Sequence, residues 1–202
     1  MLLTGKTVLV DFNDSFTYNI IELLRKTGHR DYLVISVSAL VPEELIHAKR
    51  IILSPGPGVP EEYPAVYEAL KLLEDRAASE PGHAVPVLGI CLGHQLICSY
   101  FGSKLVNMDS VVHGQPHIIR VVADDTLFRG ISKNFRAGLY HSWAVNYPLP
   151  EQLELTAESD KGTIMAFRHR HLPFWGVQFH PESCISEYGP EIINNFYQST
   201  YS

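Results

Sequence analysis

The sequence predicts an α/β fold whose first half builds a parallel sheet and whose second half adds antiparallel or mixed strands. Up to Phe101, short apolar runs alternate with helical apolar spacing, the pattern of parallel strands joined by helical crossovers. Beyond it, strand-like runs follow one another with turn residues between them, which is how antiparallel additions read.

Val8 to Asp11 is a short apolar strand. Asp14 or Ser15 then caps a helix that carries Phe16, Ile20, Leu23 and Leu24 on one face and stops at Gly28. Tyr32 to Val37 is a second strand, Glu43 to His47 a short helix, and Arg50 to Leu53 a third strand running into Ser54-Pro-Gly-Pro-Gly58. Ala65 to Ala77 is periodic and helical, Glu80 to Ala84 a loop, Val85 to Ile90 a buried strand, and Leu92 to Phe101 a helix closed by Gly102. His117 to Ala123, Gly138 to Val145, Glu154 to Glu158, Thr163 to His169 and Phe174 to His180 all read as strands, with Asp124-Asp125 as one of the turns. Pro190 starts a last amphipathic helix through Tyr197 with Ile192, Ile193 and Phe196 inward. With no internal repeat, low-complexity tract or linker, residues 1–202 read as one domain.

Composition narrows the classes. Hydrophobic residues at 46% and charged residues at 19% are ordinary globular usage and argue against disorder. The net charge of -6, without a Lys/Arg cluster, gives no footprint for a phosphate backbone, so nucleic acid is not expected as a partner. Cys91, Cys98 and Cys184 cannot all pair, which points to a reducing compartment. No leader pattern and no run near the ~20 apolar residues of a spanning helix is visible, so a cytoplasmic location off the membrane is expected.

The chemistry-bearing signal is Cys91, set between a buried strand and a helix with Gly89 and Gly93 two residues away on either side. That is the pattern of a nucleophile elbow, a tight turn that needs flanks without a β-carbon. The helix N-terminus favours a thiolate and offers the Leu92 amide as an oxyanion donor. A lone cysteine is more often core packing, and the paired glycines are what shift the balance. A thiolate needs a proton shuttle, and His180 with Glu182 two residues on supplies one if extended alternation turns both to one side. The Ser54 to Gly58 loop is rigid through its prolines and open at its glycines, which suits Gly58 as the second oxyanion donor; a stiff turn is the simpler reading.

With these residues in place the chain resembles the class I (triad) glutamine amidotransferases over essentially its whole length. The resemblance rests on Ser54-Pro-Gly-Pro-Gly58, Gly89-Ile-Cys-Leu-Gly-His-Gln95, Tyr140-His-Ser142 and Gln178-Phe-His-Pro-Glu-Ser183. The opening Asp11-Phe-Asn-Asp-Ser-Phe-Thr-Tyr-Asn19 is similar to the subgroup that forms the small subunit (component II) of anthranilate synthase or aminodeoxychorismate synthase. The resemblance implies an open mixed sheet, mostly parallel, with a flavodoxin-like core and flanking helices. It implies Cys91 as nucleophile, His180 and Glu182 as its triad partners, and Gly58 and Leu92 as the oxyanion hole. Glutamine would be held by Gly56, Pro57, Gly58, Gln95, Ser142 and Trp143, the last two through backbone groups. It further implies a chorismate-binding component I as hetero-oligomer partner, with no cofactor in this chain and magnesium in the partner. Trp143 replaces the usual Leu, and Gly114-Gln-Pro-His-Ile118 departs from a Thr/Ser-Pro pattern, changes expected to alter the pocket or the face toward the synthase.

Other readings share parts of this pattern. A free-standing glutamine or γ-glutamyl hydrolase would use the same triad without a partner, and the chain could instead serve another synthase. A binding module on the same fold would usually lack a triad member, and none is missing. His169 and His171 with His141 could ligate zinc, though a solvated strand accounts for them and no metal is expected. Cys98, Trp175 and Phe179 are expected to pack, as is Cys184, for which oxidation beside the His-Pro-Glu segment is the alternative; His94 and His113 receive no role.

Overall fold

The computed structural model describes residues 3–80 and 82–199 and, for 109–113, the backbone only. In chain order the elements are β1 (Thr7–Asp11), α1 (Phe16–Lys26), β2 (Tyr32–Ser36), β3 (Arg50–Leu53), α2 (Pro64–Ser79), β4 (Val87–Ile90) and α3 (Leu92–Tyr100). There follow β5 (Leu105–Val121), β6 (Asn134–Val145), β7 (Leu153–Ser159), β8 (Ile164–His169), β9 (Phe174–Val177) and α4 (Gly189–Gln198). Among the described residues nine strands form one sheet in the order β2-β1-β3-β4-β9-β8-β7-β5-β6. The pairs from β2 through β9 are parallel and those from β9 through β6 antiparallel, so the two halves of the chain build the two halves of the sheet.

The alternation within β1 shows why helices cover both faces. Val8 and Val10 join a buried cluster with Leu70 and Leu73 of α2 and Leu96 and Ile97 of α3. Leu9 joins the opposite cluster with Ile20 and Leu24 of α1 and Ile192 and Phe196 of α4. Successive strand residues face opposite sides, so a strand buried on both faces is apolar throughout.

Three elements differ from the sequence pattern. β5 starts at Leu105 and not at His117, because Asn107, Asp109, Ser110 and Gly114 hide its alternation; its pairing with β6 also slips twice, between Asn107 and Val112 and between His113 and Gln115. The helix expected at Glu43 is a 3-10 helix, Pro42–His47. β9 stops at Val177, three residues before the expected end, because His180 leaves β8 and bridges to Gly138 of β6. The loop expected over Glu80 to Ala84 includes Pro81, which lies outside the described residues.

Candidate active site

Strands β1, β3, β4 and β9 run parallel, so their carboxyl ends share one side of the sheet, where open α/β folds place their sites. Cys91 stands there as the single residue between β4 and α3. Its backbone has φ 53° and ψ -102°, a positive-φ conformation that costs a residue with a side chain roughly 1–3 kcal/mol. The flanking glycines show what permits it. A Cβ on Gly89 would lie 2.3 Å from the Gly93 carbonyl oxygen, and one on Gly93 would lie 2.4 Å from that of Leu53. Backbone therefore meets backbone where β3, β4 and α3 converge. The Cys91 amide donates to the Val177 carbonyl at 2.8 Å and its carbonyl accepts from the Gln95 amide at 3.0 Å, which pins the elbow to sheet and helix. The thiol sits at the start of α3, whose first amides lack intrahelical acceptors.

The histidine arrives from β9. The His180 amide donates to the Gly138 carbonyl at 3.0 Å, and Pro181 turns the chain so that the Ser183 amide returns to the His180 carbonyl at 3.1 Å. Within this turn His180 Nδ1 and Glu182 Oε1 lie 2.7 Å apart, both buried. A turn at Pro181, not extended alternation, brings them together, because proline ends the strand. Ser186 Oγ accepts the Gly138 amide at 2.9 Å and donates to the His180 carbonyl at 2.5 Å, and Arg136 pairs with Glu187 at 3.0 Å. The arm that carries His180 and Glu182 is thus zipped to the open edge of β6. With Nδ1 occupied, Nε2 is the nitrogen left for Cys91. Burial alone disfavours the imidazolium, but the Glu182 charge and then the Cys91 sulfur outweigh it and raise the His180 pKa. Phe16 and Tyr140 pack on the ring at 4.6 and 4.9 Å, contacts that no local sequence signal marks.

Cys91, Leu92 and Gln95 line one cleft of about 240 Å³ with Gly56, Pro57, Gly58, Ser142 and Trp143, so every glutamine-site residue named from the sequence converges there. Val59, Tyr140 and His141 complete the wall. Gly58 has φ 78°, and a Cβ on Gly56 would lie 2.4 Å from Phe12 Cβ, so the loop reaches the cleft only with glycines. Behind the wall, Gln95 Nε2 donates to the Trp143 carbonyl at 2.9 Å and to Gln178 Oε1 at 3.1 Å. His141 Nδ1 lies 2.8 Å from the same carbonyl and must carry the proton there, since a carbonyl can only accept. Burial, reinforced by nearby His180, lowers the His141 pKa to about 4, so this imidazole is neutral. Gln178 Nε2 lies 3.6 Å from Cys91 Sγ, a contact between residues far apart in sequence.

Other residues fall elsewhere. Cys98 is buried and burial raises its pKa, and Trp175 and Phe179 are buried as expected. Cys184, expected to pack, is exposed, because the turn buries Pro181 to Ser183 and then swings outward. His169 is buried and not solvated: its Nδ1 accepts the amides of His171 and Leu172 at 3.0 and 2.8 Å. Among the described residues no group of three or more His, Cys, Asp or Glu could hold a metal ion. The side chain of His113 lies outside the described residues. A larger cleft of about 450 Å³ between Asp125 and Arg168 contains none of the residues above, and those two charges face each other at 3.9 Å.

An α/β sheet that sets a thiol at a helix N-terminus in a cleft, facing a buried carboxylate-held imidazole, defines a thiol-nucleophile enzyme acting on amide-like carbonyls. Residues 8–200 match the family model for glutamine amidotransferase class-I, and the chain belongs to that family. A Haemophilus influenzae protein provisionally named anthranilate synthase component II is 37% identical over 192 residues, 95% of each chain. The Bacillus subtilis aminodeoxychorismate/anthranilate synthase component 2 is 34% identical over 194 residues, again 95% of each. A solved Thermoplasma acidophilum structure, provisionally described as that of a GMP synthase subunit, superposes with a TM-score of 0.81 at 25% identity, covering 95% of this chain and 91% of that one. Among the described residues no helix is long and apolar enough to cross a membrane.

Proposed function

We propose that this chain is the glutaminase subunit of a chorismate-using synthase and passes ammonia to a separate component I chain. The observation behind this reading is a Cys91 thiol that lines the cleft and faces His180, itself held by Glu182 at 2.7 Å, in a chain whose relatives are named for anthranilate and aminodeoxychorismate synthases. Glutamine lies against Gly56 to Gly58, Gln95, Ser142 and Trp143. The Cys91 thiolate attacks the side-chain amide, and the oxyanion rests on the Gly58 and Leu92 amides. His180, held by Glu182, gives its proton to the departing ammonia and leaves a glutamyl thioester. A water molecule then gives a proton to His180 and its oxygen to the acyl carbon, glutamate leaves, and the thiolate returns. Ammonia must travel away from bulk water, because ammonium is no nucleophile. Magnesium belongs in the synthase partner and takes no part in these steps.

The test is to capture the native partner, supply chorismate, glutamine and magnesium, and identify the aromatic amine, with Cys91→Ser as control. Anthranilate or the p-aminobenzoate precursor, lost with Cys91→Ser when glutamine is the donor and kept when ammonia is, is the expected result and names the product. Glutamate released at full rate without any partner would establish a free-standing hydrolase instead. Full glutamine-dependent activity in Cys91→Ser would remove the nucleophile from this account.

A further inference from the structure

Gln178 touches the reacting sulfur, yet the mechanism above gives it nothing to do. The residue is fully buried just past β9, two positions before His180. Which end of its amide faces Cys91 follows from a chain of hydrogen bonds with an unambiguous origin. The Trp143 carbonyl only accepts, so Gln95 must turn its NH2 group to it, at 2.9 Å. The other hydrogen of that NH2 group meets Gln178 at 3.1 Å, so the atom placed there is the oxygen Oε1. The Gln178 NH2 group is then the end that faces Sγ, at 3.6 Å, a hydrogen-bond distance for the large sulfur atom. Amide orientations are assigned from such networks, and here only one assignment gives each of these three contacts a donor and an acceptor.

The geometry points to Gln178 as a second hydrogen-bond donor to the Cys91 thiolate, with Gln95 as the positioning residue that fixes the sense of its amide. A thiolate accepts a hydrogen bond far better than a thiol or a thioester sulfur, so the donor favours the charged sulfur both before attack and when it leaves the acyl group. His180 surrenders its proton during the cycle, whereas an amide N–H stays a donor throughout. The Gln95 N–H at the Gln178 oxygen polarises that amide and strengthens its N–H toward the sulfur. This deepens the glutaminase reading and rests on it for its kinetic consequences, but not for its effect on the thiol.

The test uses two readouts in a Cys184→Ser background: the rate of Cys91 alkylation by iodoacetamide at neutral pH, followed by intact mass, and kcat and KM for glutamine in complex with the native partner. Gln178→Met keeps length and burial and removes the donor. Alkylation is expected to slow about tenfold and kcat to fall similarly, with KM within about twofold. Gln95→Met frees the Gln178 amide to rotate and is expected to slow alkylation about threefold, and the double variant to be no slower than Gln178→Met alone. The second variant also keeps the question answerable should Gln178→Met not fold. Parental alkylation rates in either folded variant overturn the assignment, as does a change confined to KM in Gln178→Met. Absence of glutaminase activity in the parent, with the alkylation difference intact, overturns the functional reading and leaves the donor assignment standing.

Discussion

His180 and the pair His94 and His141 are three buried imidazoles, the first and last of which flank the cleft that holds Cys91, and they carry different charges. For all three, burial is the largest influence and works against protonation. His94, in α3 against Phe167 at 5.1 Å, is driven down to about 3, with a contact to the Gly176 backbone only partly opposing burial. His141 is driven to about 4. His180 goes the other way because Glu182 lies 2.7 Å from it and the Cys91 sulfur faces it. Burial sets the neutral state as the default, and one buried carboxylate reverses it where a proton shuttle is wanted.

The largest effect comes from erasing that carboxylate's charge without its shape. Glu182→Gln keeps an acceptor for His180 Nδ1 but leaves the ring in the electrostatic position of His141. Glutamine-dependent kcat is expected to fall roughly a thousandfold with little change in KM, while ammonia-dependent synthesis by the complex persists. Steady-state kinetics with both nitrogen donors measures this. A drop of less than about tenfold would mean that something other than Glu182 separates the two kinds of histidine.

The neutral region can be sharpened through stability. The folded pKa values of His94 and His141 lie below the unfolded value of 6.5, so between the two the unfolded chain binds the extra protons. Stability is therefore intact above pH 6.5 and is lost as pH falls toward the folded values, by up to about 1.4 kcal/mol per pH unit for each such histidine. His94→Phe replaces the ring beside Phe167 with one that cannot titrate. Denaturant unfolding at a series of pH values from about 7 to about 4.5 should show a shallower acid decline than the parent. An unchanged slope would take His94 out of the acid response.

How much of this was legible depends on distance along the chain. Gly89, Cys91 and Gly93 announce their turn because backbone approach is forced within one short segment, and the parallel half of the sheet announces itself through local alternation. His180 and Glu182 were legible as a pair, although Pro181 joins them by a turn. Gln178 was not legible as a contact of Cys91, because the contact exists only through the parallel pairing of β4 with β9. Its register sets Ile90 beside Val177, so the next rung puts Cys91 beside Gln178. Phe16 reaches His180, and Ser186 reaches the edge of β6, by similar long-range closures. The first part of β5 was hidden for a different reason: its polar residues and two register slips erase the period that marks a strand.

The smallest effect separates depth of burial from the mere number of buried histidines. His169, far from the cleft at the end of β8, is also kept neutral, at about 4, first by burial and then by His171. Its Nδ1 accepts two backbone amides, so protonation there would set a donor against two donors. An asparagine oxygen can accept the same amides two and three residues on, and it does not titrate. His169→Asn should therefore keep the turn, lower Tm near neutral pH by only about 2–4 °C through loss of the ring contacts with Phe101 and Phe174, and leave turnover within about twofold. Its folded value of about 4, against about 3 for His94, also lies below the pH range of the His94→Phe series. Down to about pH 4.5 His169→Asn should therefore flatten the acid decline almost as much as His94→Phe, and less only below it, where His169 takes up its proton first. Flattening that stays equal when the series is carried to about pH 3 would mean that depth of burial does not separate the two, and the contrast with His180 would then rest on Glu182 alone.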